Sequence, residues 1–265
     1  MIEMNPQEQE SKNFFGKYYK LITSLQLFLG ISTDSLYSIL QHGQIRNFGK
    51  GTLLFLEGDQ IESLYVVLEG TIKIFKGSES GEEAILQILK SGDPIMESTV
   101  FLDTNFTVSA ETVENATLLS IPATIIREQV KSNHKLALNL ITSIAEYSQE
   151  LIRQAENIRL KSADERIGLF LLNLFWQQKG VSREVKLPYD KALIASYLDM
   201  RRETFSRVLK RLKAKGFKIE NDTIVIPKLT SLCEYCDSST AAKCPQYHTP
   251  YCPNKSAKKC MSIVK

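Results

Sequence analysis

The chain has no cysteine before position 233; all five, Cys233, Cys236, Cys244, Cys252 and Cys260, lie in the last 33 of its 265 residues. In a reducing compartment, thiols clustered in this way bind metal more often than they form disulfides. No apolar run approaches the ~20 residues that a membrane span needs. The stretch from Met1 to Lys12 is polar and lacks the basic-then-apolar order of a signal peptide. Both absences point to a cytoplasmic protein with no membrane partner. There is no nucleotide-binding glycine loop, no HExxH pair and no nucleophile motif, which argues against an enzyme. Histidine is scarce, and no arginine occurs between Lys90 and Arg127. What remains is an ordinary globular composition, in a length suited to two domains and a tail.

The charge is unevenly divided. Residues 1–161 hold 14 Lys+Arg against 20 Asp+Glu, residues 162–228 hold 14 against 8, and residues 229–265 hold 5 against 2. An acidic front and a basic back imply that only the back meets a polyanion.

Tyr18 to Phe28 reads as a short amphipathic helix, and Ser32-Thr33-Asp34 can cap a second one with Leu36, Ile39 and Leu40 on its inner face. From Gln44 to Ile121 short apolar stretches alternate with turns. The stretches are Thr52–Leu56, Leu64–Leu68, Thr71–Phe75, Ala84–Leu89, Phe106–Ala110 and Ala116–Ile121. Evenly spaced strands of this kind make a barrel or jelly roll. Pro122 then opens a short helix. A long helix is predicted from about Asn133 to Leu160, where Leu140, Ile144, Tyr147, Leu151, Gln154 and Ile158 form an a/d seam. Such a seam either packs on the barrel of its own chain or pairs with a second copy; its length favours a parallel homodimer. Ser162-Ala163-Asp164-Glu165 is a capping box that starts a new helix and marks a boundary at Lys161–Ser162.

Residues 188–228 carry the most specific pattern. Asp190 to Tyr197 is a short helix, Leu198-Asp199-Met200 a tight turn, and Arg201 to Lys215 a second helix that buries Phe205, Val208, Leu209 and Leu212. Its other face and its start carry Arg201, Arg202, Glu203, Ser206, Arg207, Lys210 and Arg211. A helix-turn-helix lays its second helix in the major groove, with the early residues against base edges. Ile219 and Thr223–Ile226, joined by a turn at Glu220-Asn221-Asp222, make a two-stranded wing. Arginine reaches guanine O6 and N7 together, and glutamate accepts from cytosine N4. Base reading is therefore assigned to Arg202, Glu203, Ser206 and Arg207, with phosphate or solvent left to Lys210, Arg211 and Lys213; Arg201 suits DNA contact or a solvated helix face equally.

These residues resemble the CRP/FNR superfamily of transcription regulators over residues 20–228. The resemblance is carried by Arg202-Glu203-Thr204-Phe205-Ser206-Arg207 in the recognition helix. In the barrel it is carried by Phe55-Leu56-Glu57-Gly58-Asp59, Leu64-Tyr65-Val66-Val67-Leu68-Glu69-Gly70 and Gly92-Asp93. It implies an α+β chain. A cyclic-nucleotide-binding-like β-barrel with N-terminal helices would span 1–132, a dimerisation helix 133–161, a winged helix-turn-helix 162–228 and a Cys-rich, metal-binding tail 229–265. It also implies a homodimer on palindromic double-stranded DNA, half-sites about one helical turn apart, working with RNA polymerase.

Members that bind cyclic nucleotides carry a Gly-Glu pair after Gly-Asp, and later an Arg-Ser or Arg-Ala pair whose arginine clamps the phosphate. Here Met96-Glu97 stands at the first place, and Asn105-Phe106-Thr107-Val108-Ser109-Ala110 supplies no arginine at the second. An unneutralised phosphate in a barrel is costly, so no cyclic nucleotide is expected and Glu97 is read as structural. The cassette is closer to the nitric-oxide-responding (HcpR-type) branch. Some members of the nitric-oxide-responding branches bind haem in the barrel, for which Met96, His42 and His134 are the candidates here.

The tail offers another sensor. Cys233-x2-Cys236-x7-Cys244-x7-Cys252-x7-Cys260 can grip a metal centre with four thiolates, and Cys244-Pro245 and Cys252-Pro253 have the Cys-Pro form found beside iron–sulfur ligands. Four cysteines, or three with His248, suit tetrahedral zinc equally well, and spacing does not separate the two. The resemblance favours a 4Fe-4S cluster that senses oxygen, nitric oxide or redox state, on Cys233, Cys236, Cys244 and Cys252, with Cys260 as the alternative fourth ligand. The rivals are a haem-based regulator with zinc in the tail and, from another class, an iron–sulfur electron carrier or enzyme. The tail has little apolar content, so something besides a core is expected to order it.

Overall fold

The computed structural model describes residues 15–78, 83–102, 104–178, 182–236, 238–241 and 244. The chain divides into two compact units, Met1–Ile152 and Arg153–Lys265.

In the first unit, α1 (Tyr19–Ser24) and α2 (Thr33–Leu40) precede the strands. Ser32 caps α2 as its position predicts, its Oγ accepting from the Ser35 amide at 3.3 Å. Eight strands follow: β1 (Gln44–Phe48), β2 (Leu53–Phe55), β3 (Ser63–Glu69), β4 (Ile72–Gly77), β5 (Glu83–Leu89), β6 (Pro94–Ile95), β7 (Ser109–Thr112) and β8 (Ala116–Pro122). They form two antiparallel four-stranded sheets, ordered β1-β8-β3-β6 and β2-β7-β4-β5. Phe55, Val67, Ile72, Ile74, Leu89, Ile95, Phe106, Val108, Ala110 and Leu118 fill the space between them.

The first sheet has a second apolar face. Leu64, Val66, Leu68, Leu119 and Ile121 pack with Ile22, Phe28, Ile39, Leu40 and two later helices, α3 (Ala123–Ser132) and the start of α4 (His134–Leu160). Burial on both faces explains why β3 and β8 are mostly apolar while β4 and β5 carry Lys73, Lys76 and Glu83 on the face away from the barrel core. The chain passes from β3 in one sheet to β4 in the other at Gly70, with φ +89°, where a Cβ would lie 2.5 Å from the Asn115 carbonyl oxygen. Strand β1 was not anticipated: Gln-Ile-Arg-Asn-Phe is mostly polar, and its ladder with β8 holds it.

The second unit starts in the last turns of α4 and continues into α5 (Ala163–Gln177). The Ser162 capping box closes there in both directions, with Glu165 N–H to Ser162 Oγ at 3.3 Å and Ser162 N–H to Glu165 Oε2 at 2.9 Å. Then come β9 (Glu184–Lys186), α6 (Lys191–Tyr197), α7 (Arg202–Ala214), β10 (Lys218–Glu220), β11 (Thr223–Val225), a 3₁₀ segment Leu229–Tyr235 and α8 (Ser238–Ala241). The wing has three strands, β10-β11-β9, where sequence predicts two. The missed strand is three residues long, too short for an alternation to register. Gln178 pins it, donating to Lys186 O at 2.7 Å and accepting from Lys186 N at 3.0 Å.

Candidate nucleic-acid interface and thiol cluster

Helix α6 is capped by Asp190, whose Oδ1 accepts from the Ala192 and Leu193 amides at 2.9 and 2.8 Å. The turn to α7 passes through Asp199 at φ +51°, a left-handed position that aspartate tolerates better than most residues. Arg166 Nη1 lies 3.7 Å from the Asp199 carboxylate. Helix α7 then buries Phe205, Val208, Leu209 and Leu212, each worth about 1.5–3 kcal/mol of transfer free energy when fully covered. That seat fixes the rotation of the helix. Arg201, Arg202, Glu203, Ser206, Arg207, Lys210 and Lys213 are consequently exposed on its start and outer face. Arg207 Nη2 donates to Thr204 Oγ1 at 3.2 Å, which steadies the guanidinium one turn from the helix start. Arg201 occupies the N-cap and supplies no side-chain cap.

Two basic residues of this stretch have other work. Arg211 Nε donates to Asp164 Oδ1 at 2.8 Å, and its Nη2 reaches Oδ2 of the same carboxylate. The fork is spent on the first turn of α5 rather than held out for phosphate, and the Arg211 hydrogen bond depresses the Asp164 carboxyl below its ordinary range. Lys215, at the C-cap of α7, donates to Glu234 Oε1 at 2.9 Å and to the Tyr235 hydroxyl at 3.1 Å. Its ammonium lies 5.3 Å from the Tyr235 ring centre, and the Glu234 hydrogen bond raises its pKa above the usual lysine value.

The beginning of the tail is packed more firmly than its composition predicts. Leu232, Tyr235, Cys236 and Ala241 belong to the same core as Phe205, Val208 and Leu212. Room for them comes from Gly168 in the middle of α5: a Cβ there would fall 2.1 Å from Tyr235 Cγ. Cys233 and Cys236 sit one turn apart, the Cys236 amide donating to the Cys233 carbonyl at 3.1 Å. Cys236 is buried, while Cys233 and Cys244 are half-buried. This turn fits one half of a thiolate site, since both donors are soft and share one rigid segment. Among the described residues no three His, Cys, Asp or Glu side chains come together; Cys252, Cys260 and His248 lie outside the described residues.

The seam predicted on the long helix is divided. Leu140 is buried in that unit's own core, and Ile144 and Tyr147 are half-buried. Burial and the nearby Glu97 carboxylate raise the Tyr147 pKa. Leu151 and Ile158 are exposed. The next stripe round the helix (Leu138, Ile141, Ala145, Ser148, Ile152 and Ala155) is exposed along its whole length. Leu138, Ile141 and Ile152 are 58–61% exposed, apolar surface that none of the described residues covers.

The barrel interior is closed by a stacked pair, Phe55 and Phe106, with ring centres 3.7 Å apart. Met96 adopts φ +53°, a left-handed turn despite its side chain. Glu97 is buried and accepts from Ser143 of α4 at 2.7 Å. Of the candidate haem ligands, His42 and His134 are exposed, and Met96 alone packs against the barrel core. No helix of the described residues is long and apolar enough to cross a membrane.

Comparison with known proteins agrees with both halves. Residues 45–133 match the cyclic nucleotide-binding domain family, and residues 165–235 match the Crp-like helix-turn-helix domain family, whose span includes the start of the tail. The chain is 31% identical over 192 residues to the anaerobic regulatory protein of Pasteurella multocida, covering 70% of this chain and 69% of that one. It is 30% identical over 201 residues to the fumarate and nitrate reduction regulatory protein of Vibrio cholerae, covering 73% and 79%. Among solved structures, FixK2 from Bradyrhizobium japonicum superposes with a TM-score of 0.64 at 20% identity, over 73% of this chain and 96% of that one; it is similar in fold.

Proposed function

We propose, for a chain that belongs to the CRP/FNR family of DNA-binding transcription regulators, that it reads a palindromic duplex as a homodimer and answers to redox state, oxygen or nitric oxide through its C-terminal cysteines. The observation that carries the DNA half is the buried seat of α7, which holds Arg202, Glu203, Ser206 and Arg207 outward together. Lys210 serves the phosphates, and Arg201 stands at the helix start beside them. The exposed stripe from Leu138 to Ala155 supports pairing with a second copy. A dimer places two recognition helices on one face of a duplex, which a single chain cannot do. RNA polymerase is the natural third partner of such a regulator, and the work is cytoplasmic.

The sensor reading rests on the Cys233–Cys236 turn being built into the core of the winged unit. Cys233, Cys236 and Cys244, with Cys252 or Cys260, are proposed to hold a 4Fe-4S cluster, which supplies reactivity toward oxygen and nitric oxide. The chain's own part is to present thiolates on a segment fixed by Leu232 and Tyr235. The names of the relatives, an anaerobic regulatory protein and a fumarate and nitrate reduction regulatory protein, favour this over an enzyme or electron carrier. The barrel is proposed to take no cyclic nucleotide: no arginine lies between Lys90 and Arg127, and Glu97 is already engaged with Ser143.

The test is an absorption spectrum with iron, sulfide and zinc analysis on protein purified without oxygen. A broad sulfur-to-iron charge-transfer band with stoichiometric sulfide supports the reading. A sharp Soret band would move the sensor to the barrel. A colourless protein with zinc would leave DNA binding standing and overturn the cluster.

A further inference from the structure

The tail thiols and the DNA-reading helix meet at one side chain. Tyr235 lies between Glu234 and Cys236, two residues from Cys233. Its ring rests on the backbone of α5 at Gly168, where a Cβ would fall 2.1 Å from Tyr235 Cγ. Its hydroxyl accepts from Lys215, which caps α7 and also holds Glu234. Directly after Lys215, Gly216 turns the chain at φ +91°, so the lysine is fixed at both its ammonium and its backbone. Arg211, one turn earlier, is anchored to Asp164 on the same α5. Thus the C-terminal half of α7 is fastened to α5 at two points. One is a plain ion pair; the other passes through the segment that carries the cysteines.

Drawing Cys233 and Cys236 onto a common centre fixes the backbone between and around them. Tyr235 is inside that interval, so its ring cannot keep an independent position. A shift of the ring moves its hydroxyl away from Lys215 or toward it, and Lys215 ends the recognition helix. Coupling of this kind needs a link that both sites bias, and binding at either end must then alter the other by the same factor.

We propose that Tyr235 is the positioning residue through which ligation of the tail thiols sets the DNA affinity of α7, with Gly168 as its seat and Lys215 as its link. The proposal rests on the thiolate reading given above. It adds that the signal runs inside one winged unit, from Cys233 and Cys236 through Tyr235 to Lys215.

The experiment compares full-length protein purified without oxygen, before and after treatment with a chelator. The duplex is the one that the protein itself selects from random DNA. In the unaltered chain, chelation is expected to change the dissociation constant by about tenfold, within the range usual for coupled sites. Three variants follow. Gly168→Ala evicts the ring, Tyr235→Phe keeps the ring and removes the hydroxyl, and Lys215→Met removes the ammonium. In Tyr235→Phe and Lys215→Met the affinity ratio between the two forms is expected to fall toward one, with metal content unchanged. Gly168→Ala should do the same if it folds; the other two keep the test open if it does not.

A second readout needs no metal. In the stripped chain, alkylation of Cys236 should change on adding the selected duplex, and Tyr235→Phe should abolish that change. An unaltered ratio in Tyr235→Phe and Lys215→Met, with metal still bound, would overturn the coupling while leaving the thiolate site intact. Absence of any metal in the unaltered chain would overturn the thiolate reading itself, and this inference with it.

Discussion

Between the sheets of the first unit, large side chains point at one another: Phe55 stacks on Phe106, and Val67, Ile74, Leu89 and Leu118 close the remaining space. In the second unit one helix buries Phe205, Val208, Leu209 and Leu212 so that a row of charges and a hydroxyl can face solvent. The first arrangement excludes water and charge; the second displays charge at a fixed angle. The two differ in what a substitution reveals. Inside the barrel a change is felt as packing, and on the outer face of α7 it is expected to be felt only when DNA is present.

The largest effect expected from this contrast is in the barrel. Phe106→Ala removes half of the stacked pair and leaves a cavity, at a cost of about 3–5 kcal/mol. Trp176 is the single tryptophan and lies in α5, so its fluorescence reports the winged unit alone. In urea, the first unit, followed by the far-ultraviolet signal of its strands, should unfold at lower denaturant while the Trp176 transition holds its place. Coincident movement of both transitions would show that the two units unfold as one.

Next comes Arg207→Ala. Its side chain is exposed and, among the described residues, hydrogen-bonds to Thr204 one helical turn away, so thermal stability should hardly change. Affinity for the selected duplex should fall by about 1–3 kcal/mol, with much less loss on random DNA. An equal loss on both would reassign Arg207 to phosphate contact. Ser162→Ala should cost about 1 kcal/mol of winged-unit stability by opening the capping box at the start of α5. Because Ser162 Oγ also meets Glu165 Oε2 at 2.9 Å, replacement by threonine should restore most of the loss.

How far the sequence disclosed these features follows from the kind of interaction involved. Periodic ones were legible: the seat of α7, the Ser162 box, the strands buried on both faces and the helix His134–Leu160 all repeat or cap at fixed spacing. Contacts between distant residues were not. Gly168 reads as an ordinary helical glycine until Tyr235 is laid across it, 67 positions later in the chain. Arg211 reads as one more cation on a basic helix until Asp164 is found opposite its fork. On the long helix, the apolar spacing gave a seam through Leu140, which faces its own core; a neighbouring stripe through Ile141 and Ile152 satisfies the same heptad and is exposed. Heptad spacing alone does not distinguish two adjacent stripes when both carry apolar residues.

The smallest effect expected concerns that Asp164–Arg211 pair. The Arg211 hydrogen bond lowers the Asp164 pKa in the folded chain, against an ordinary value of about 3.9 when unfolded. A depressed carboxyl stabilises the fold fully above its unfolded pKa, and that contribution is lost as pH falls through the folded one. Stability should therefore be flat, for this pair, from neutral pH down to about pH 4, and decline only below it. With the Arg211 side chain 54% exposed and that of Asp164 38% exposed, solvent screens most of the interaction. The clearer readout is therefore the Asp164 carboxyl resonance followed against pH. In Arg211→Met its midpoint should return to the ordinary aspartate range. A midpoint that stays low would mean that the first turn of α5, and not Arg211, depresses it, and would free Arg211 to serve the phosphates after all.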